Sequence, residues 1–299
     1  MISIIIPFHN EKEDLPLLLK RLKEIGGKMS EKLEIILIND GSNDNSKSRI
    51  QSLEFLKDEN VKLISHGKRL GKGKALQTGF NASQGDTIVF MDADLQDDPV
   101  DLPKFISKID EGYDLVNGWR KYRQDPLSKT LPSSIFNTLL LRIFLQTKFH
   151  DVNCGFKAMK RKILVENPLY GDNYRFLPIL AEKSGFKTTE VIVTHSPRMH
   201  GKSKYGFLRL LSGLLDTFTT YFIFKFSERP LHFFGIVGGI FFVVGFIISL
   251  ILAFERIFYG VLLYRRPVLI LGVLLIIVGI QIIMTGITAE LIVYLNKKK

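Results

Sequence analysis

Residues 90–99 read FMDADLQDDP, with aspartates at 92, 94, 97 and 98 behind the apolar run TIVF. Carboxylates this dense repel one another unless a positive charge sits among them. Asp92 and Asp94 are one residue apart at the expected end of a strand, where alternation sends both side chains to one face. Two or three oxygen donors on one edge suit a hard divalent cation, Mg²⁺ or Mn²⁺, that keeps coordination sites open for substrate phosphates. The competing reading is a solvated acidic turn or a helix N-cap, and Asp97 and Asp98, just before Pro99, fit that description.

The elements that must carry these residues alternate regularly. ISIIIPF, LEIILIND, VKLISH and DTIVFMDAD read as four short buried strands. Helical stretches fall between them, at about 13–25, 46–56 and from GKGKALQTGFNAS onward. That order predicts βαβ units and a mainly parallel sheet. Ligands of such sheets bind outside the carboxyl ends of the strands. Those ends carry PFHNE, NDGS and DADLQ, so three polar motifs are expected to converge on one edge.

Two phosphate-binding fingerprints fail. A G-x-x-x-x-G-K-[S/T] loop counted from Gly67 meets Lys72 where its second glycine belongs, and G-x-G-x-x-G from Gly71 meets Leu76. LGKGKAL therefore reads as a glycine-eased turn into a helix, with phosphate contact and a plain structural turn both open. Cys154 is the single cysteine, so no internal disulfide forms. The formal net charge of +11 suits a protein lying on anionic lipid, and no nucleic-acid recognition motif accompanies it.

Residues 231–254 and 267–289 contain no Asp, Glu, Lys or Arg. Each run exceeds the roughly 20 residues that span a bilayer. They predict a transmembrane hairpin, with spans at about 231–254 and 267–290. MISIIIPFHNE lacks a basic leader region, so the N-terminal part is expected to stay in the cytoplasm. Charge alone leaves the orientation mixed, because Arg256, Arg265 and Arg266 lie between the runs and Lys297, Lys298 and Lys299 follow them. An untranslocated N-terminal domain returns the C-terminus to the cytoplasm. YGFLRLLSGLLDTFTTYFIFKF, ahead of the first run, has apolar residues at helical spacing and reads as interfacial helices.

From residue 1 to about 225 the chain resembles the family 2 glycosyltransferases of GT-A fold, in particular the polyprenyl-phosphate hexosyltransferases. The motifs occur in order. IPFHNE is similar to the nucleotide-binding strand end, implying Pro7, His9 and Glu11 there, with His9 in place of the usual tyrosine. INDGSNDNS is similar to the second-strand DDGS, implying Asp40 near the base or ribose, with Asn39 replacing an acidic residue. Lys72 belongs to the nucleotide site on the phosphate-contact reading of LGKGKAL. DADLQ matches the metal site, implying Asp92, Asp94 and Gln96 at the cation; NGWR implies Arg120 on the phosphates; DVNCGFKAMKR implies Asp151 at the sugar. SPRMHGKSKYG is similar to a late basic loop, implying Arg198 and Lys204 at the lipid phosphate or diphosphate, and Lys129 and Ser133 occupy acceptor-phosphate positions.

The resemblance implies an α/β GT-A catalytic domain over 1–204, and the apolar pattern adds interfacial helices over 205–229 and the hairpin over 230–299. It implies inverting transfer of a hexose from a UDP- or GDP-sugar to a polyprenyl phosphate, with Mg²⁺ or Mn²⁺, at a membrane. The chemistry agrees. A phosphate monoester is largely anionic near neutral pH, with a second pKa of about 6, so the nucleophile hardly needs a base. Asp151 is then read as base or as sugar-orienting group. Rival classes are a processive polysaccharide synthase, a non-catalytic sugar-nucleotide-binding membrane protein and a nucleotidyltransferase; Q-x-x-R-W, expected of the first, is absent. Oligomeric state is unreadable, and a homo-oligomer is compatible with the sequence.

Overall fold

A computed structural model describes residues 1–51, 58–122, 147–169, 171–196, 222, 225–226, 229–260, 262 and 267–297. Lys129, Ser133, Arg198, Lys204 and most of the expected interfacial stretch lie outside the described residues. The chain falls into two compact units, Met1–Thr217 and Phe218–Lys299.

In the first unit seven strands form one sheet: β1 (Ile2–Phe8), β2 (Leu33–Asn39), β3 (Val61–Ser65), β4 (Thr87–Phe90), β5 (Leu115–Trp119), β6 (Lys157–Lys160) and β7 (Thr188–Ile192). Their order is β3-β2-β1-β4-β6-β5-β7. β1 pairs in parallel with β2 and β4, β2 with β3, and β5 with β7. Only β6 runs against its neighbours, β4 and β5.

Alternation divides the core. Ile4, Ile6, Leu37, Val89 and Val116 face one side, where α1 (Asp14–Gly26) and α4 (Leu102–Asp110) cover them with Leu15, Leu18, Leu22 and Phe105. Ile5, Ile36, Ile88 and Leu115 face the other, under Ala75 and Leu76 of α3 (Lys72–Ala82), Ile163 of α5 (Arg161–Glu166) and Leu177 of α6 (Leu177–Lys183). A short α2 (Ser46–Gln51) follows the second strand. At the amino end of β5, Asp114 accepts from Lys160 at 3.0 Å, Lys162 at 2.9 Å and the Lys187 amide at 3.0 Å. Against its partial burial, these donors hold its carboxyl at about 2.

The strand expected over DTIVFMDAD stops at Phe90. The chain then leaves the ladder, and Leu95 adopts a φ of 57°. Side-chain alternation nevertheless persists: Met91, Ala93, Leu95 and Asp97 are buried, while Asp92, Asp94 and Gln96 are half-buried.

The second unit contains α7 (Pro230–Tyr259) and α8 (Pro267–Lys297). Both are long and apolar enough to cross a membrane, with mean hydropathy of 2.8 and 2.9. Only 17% and 11% of their most apolar windows are buried, which is not the environment of a soluble core helix. They run antiparallel at close range: a Cβ on Gly238 would lie 2.6 Å from Gly279 O, and one on Gly245 2.6 Å from Gly272 O. Glu290 accepts from the Leu231 amide at 3.1 Å, taking one of the unpaired donors at the start of α7.

Candidate active site

The carboxyl ends of β1, β2, β4 and β5 meet on one edge, joined there by the amino end of the reversed β6. The first two motifs are laced together. His9 Nδ1 is 2.9 Å from Asp40 O, and the Asn10 amide donates to Ser42 Oγ at 3.0 Å. Asn10 and Asn43 exchange two hydrogen bonds, and Asn39 Oδ1 accepts from the Ser42 amide at 2.9 Å. Asn39 therefore supplies the turn following β2. Pro7 and Glu11 are half-buried on the same strand exit, and the Glu11 carbonyl accepts from the Leu15 amide as α1 begins.

Asp40 is buried, and its carboxylate serves the protein. Oδ1 accepts from the Leu70 amide at 2.8 Å and faces His66 Nδ1 at 2.9 Å; Oδ2 accepts from the Gly71 amide at 2.9 Å. Burial alone would raise its pKa, but these donors hold it below the usual carboxylate range. The turn they secure delivers Lys72, whose ammonium bonds Asp92 Oδ1 and lies 5.1 Å from the Tyr174 ring centroid. Burial opposes the charge on Lys72, yet Asp92 outweighs it and raises the pKa above the ordinary lysine value. Asp92 stays ionised against its own burial through Lys72, with further help from Arg120 and Lys157.

Asp92 also packs on Gly155, where any Cβ would collide with its carboxylate. Asp94 Oδ1 accepts from the Gln96 amide at 3.3 Å. Among the described residues no three His, Cys, Asp or Glu side chains cluster as a metal cage. Asp92 and Asp94 on the open face, with Gln96 beside them, fit a cation that takes its remaining ligands from substrate phosphates and water.

Arg120 leaves β5 and grips Asp151 with both ends of its fork, Nε to Oδ2 at 2.8 Å and an Nη to Oδ1 at 3.1 Å. Asp151 is 2% exposed. The segment carrying it is anchored twice. Glu190 of β7 accepts from the Asp151 amide at 3.3 Å and from the His150 amide, and Lys157 Nζ donates to Asn117 Oδ1 at 2.8 Å, Val152 O at 2.9 Å and Cys154 O at 2.5 Å. Lys157 is wholly buried, and burial brings its pKa down to about 8.

The structure thus brings together Lys72, Asp92, Asp94, Gln96, Arg120 and Asp151, and links His9 to Asp40. It separates the two later aspartates. Asp98 caps a short turn, accepting from the Val100 amide at 3.1 Å, and pairs with Arg21 at 3.2 Å. Asp97 is not a solvated turn residue. It is 3% exposed, and its Oδ1 has no hydrogen-bond partner among the described residues. Burial and the charges of Asp92 and Asp94 push its pKa up to about 7. The alternation that buries Met91, Ala93 and Leu95 carries straight on to it, a signal present in the sequence. Asp97 bridges to His195, the Ser196 amide donates to Gln96 O at 2.9 Å, and the Thr194 amide donates to Asp101 Oδ2 at 2.6 Å. His66, Gly155, Lys157 and Glu190 are further members, whose roles arise from long-range contacts rather than from the motifs around them.

A mainly parallel sheet with one reversed strand, carrying an acidic turn and two basic side chains at its carboxyl edge, defines a glycosyltransferase of GT-A fold. Residues 3–167 match the family model described as Glycosyl transferase family 2, and the chain belongs to that family. Among curated relatives, an undecaprenyl-phosphate 4-deoxy-4-formamido-L-arabinose transferase of Proteus mirabilis is 31% identical over 97% of this chain and 88% of that protein. A dodecaprenyl-phosphate galacturonate synthase of Rhizobium johnstonii is 32% identical over 97% and 87%. Among solved structures, glucosyl-3-phosphoglycerate synthase of Mycobacterium tuberculosis, in complex with Mn²⁺, UDP-glucose and glycerol 3-phosphate, matches with a TM-score of 0.54. That match has 19% identity and covers 74% of this chain and 79% of that one, so the likeness is one of fold.

Proposed function

We propose that this glycosyltransferase moves a hexose from a nucleotide diphospho-sugar to a polyprenyl phosphate at a membrane surface, with inversion. The observation carrying the reading is that relatives named for undecaprenyl- and dodecaprenyl-phosphate products align over 97% of the chain. That span takes in most of the two membrane-length helices as well as the site. An acceptor with an insoluble tail and a charged head gives those helices a purpose, since the reacting phosphate stays at the interface.

In this reading Asp92, Asp94 and Gln96 hold Mg²⁺ or Mn²⁺. Bound there, the cation would stabilise the charge that develops on the departing diphosphate. Lys72 turns its ammonium to the same phosphates. Arg120, fixed by Asp151, adds a rigid positive fork. Asp151 is already committed to Arg120 through both oxygens, which favours orientation of Arg120 and the sugar over proton abstraction. An acceptor phosphate that is already anionic makes a base unnecessary. Bringing two anions together is the principal task, and it calls for fixed positive charge.

Arg198 and Lys204, with Lys129 and Ser133, take the acceptor phosphate. The tether of the Ser196 amide to Gln96 O supports this reading, because Arg198 follows only two residues later. The site unit and the C-terminal lysines share the cytoplasmic side, with residues 255–266 outside. The catalytic domain is assigned to 1–204, interfacial helices to 205–229 and the membrane hairpin to 230–299.

The test is transfer from radiolabelled UDP- and GDP-sugars to undecaprenyl phosphate in membranes carrying the chain. Label is expected in a lipid that mild acid hydrolyses to free sugar. Label in a polymer, or none with any donor, would refute the proposal.

A further inference from the structure

The resemblance gives Asp40 to the base or ribose of the donor, but its surroundings describe a different task. Three internal donors converge on this buried carboxylate, and all belong to the six residues that precede Lys72: His66 Nδ1 at 2.9 Å, the Leu70 amide at 2.8 Å and the Gly71 amide at 2.9 Å. A carboxylate offers about four lone-pair positions, so three are already taken. The imidazole is held from its far side too, with Nε2 3.1 Å from Thr78 Oγ1 of α3. In the neutral ring, Nδ1–H donates to Asp40 and Nε2 accepts the Thr78 hydroxyl proton.

The rest of the turn is equally determined. The His66 amide donates to Asn39 O at 2.9 Å. A Cβ on Gly41 would lie 2.5 Å from Arg69 N and 2.6 Å from Lys68 C, so the two turns pack backbone to backbone. Gly71 adopts a φ of 94°, a conformation open to glycine, and Lys72 opens α3 directly after it. One carboxylate thereby fixes the direction in which Lys72 leaves the turn, and that direction ends on Asp92.

We infer that Asp40, His66 and Thr78 form a positioning relay that aims Lys72 at the diphosphate end of the site. The inference rests on the reading of Lys72 and Asp92 as diphosphate-binding groups. It makes His66 and Thr78 functional residues, although neither lies in a motif that points to a ligand.

A double-mutant cycle on the full-length chain in detergent decides it. Calorimetry with UDP and with GDP, each with Mn²⁺, gives the affinity of the wild type, and the nucleotide it binds serves as probe. His66→Ala is expected to weaken binding about tenfold, the scale of one lost charge-assisted hydrogen bond. His66→Asn, whose Nδ2 can still donate to Asp40, should recover to within about twofold of wild type. In a Lys72→Met background, His66→Ala should cost no further affinity. In steady state His66→Ala should raise KM for the donor while leaving KM for polyprenyl phosphate unchanged.

Circular dichroism and the thermal midpoint report folding. If His66→Ala does not fold, Thr78→Val carries the same cycle, giving a smaller loss that also vanishes with Lys72→Met. Losses that add fully in the Lys72→Met background would overturn the relay. A folded wild type that binds neither nucleotide would instead strike the donor-site reading, and the relay with it.

Discussion

Replacing Gly155 by alanine tests whether the position of Asp92 governs activity. The new methyl carbon would lie 2.7 Å from Asp92 Cγ and 3.0 Å from Oδ1. Ordinary carbon contacts settle at about 3.5–4.0 Å, so carboxylate and turn must part by roughly 1 Å. Overpacking of this kind costs about 1–3 kcal/mol of stability, which a folded unit of this size can absorb. Activity should suffer more, because a misplacement of roughly 1 Å in a reacting constellation costs about 100-fold in rate. Purified Gly155→Ala should therefore keep its circular-dichroism spectrum and lose a few degrees of thermal midpoint. Its transfer rate should fall about 100-fold, and Mn²⁺ titration followed by electron paramagnetic resonance should show weaker binding. Transfer within about twofold of wild type, together with unchanged Mn²⁺ affinity, would refute the view that this carboxylate must sit where the structure has it.

Four other perturbations have definite expected outcomes. Chelation should abolish transfer, Mg²⁺ or Mn²⁺ should restore it, and Asp94→Asn should lose nearly all activity while staying folded; full activity in excess chelator would dismiss the metal. Arg198→Ala and Lys204→Ala should cut turnover at low polyprenyl phosphate severely while weakening calorimetric nucleotide binding less, whereas a small, salt-sensitive loss would mean simple lipid-headgroup contact. A cysteine at position 259 should react with an impermeant thiol reagent outside intact cells and one at 298 should not; the opposite pattern reverses the orientation. Asp114→Asn should cost about 2 kcal/mol at neutral pH, the worth of the gap between 3.8 and about 2. Because the folded-state pKa is depressed, that contribution is complete above about pH 4 and vanishes as pH falls through about 2, so wild type and variant should converge in acid denaturation.

The four early strands were legible because β-branched runs end in turn residues, and the two long helices because they are uncharged over membrane length. The convergence of PFHNE, NDGS and DADLQ followed from parallel topology alone. The reversed strand was not legible: KAMK is too short and too polar in appearance, and its buried Lys157 is tolerated only because three oxygens receive it. Asp97 looked like its neighbour Asp98, since adjacent identical residues carry no mark of which face they occupy until the preceding alternation is extended past the strand. The three hydrogen bonds that Asp40 accepts were not legible, because its partners arrive from 26 to 31 residues further along the chain. Long-range hydrogen bonds of that kind leave no local pattern.

The reversal of β6 has a consequence for where the chain leaves and re-enters the sheet. A parallel successor to β5 would have to begin at the opposite edge of the sheet, so the chain would cross the whole domain before continuing. Because β6 runs backward, the chain departs the edge at Trp119 and re-enters it at Lys157, both beside the reacting groups. Arg120 lies on the outgoing arm of this excursion and Asp151 on the returning one, and both oxygens of the carboxylate receive the guanidinium. One ion pair therefore clasps the two arms together beside the acidic turn, while the sheet stays continuous behind them.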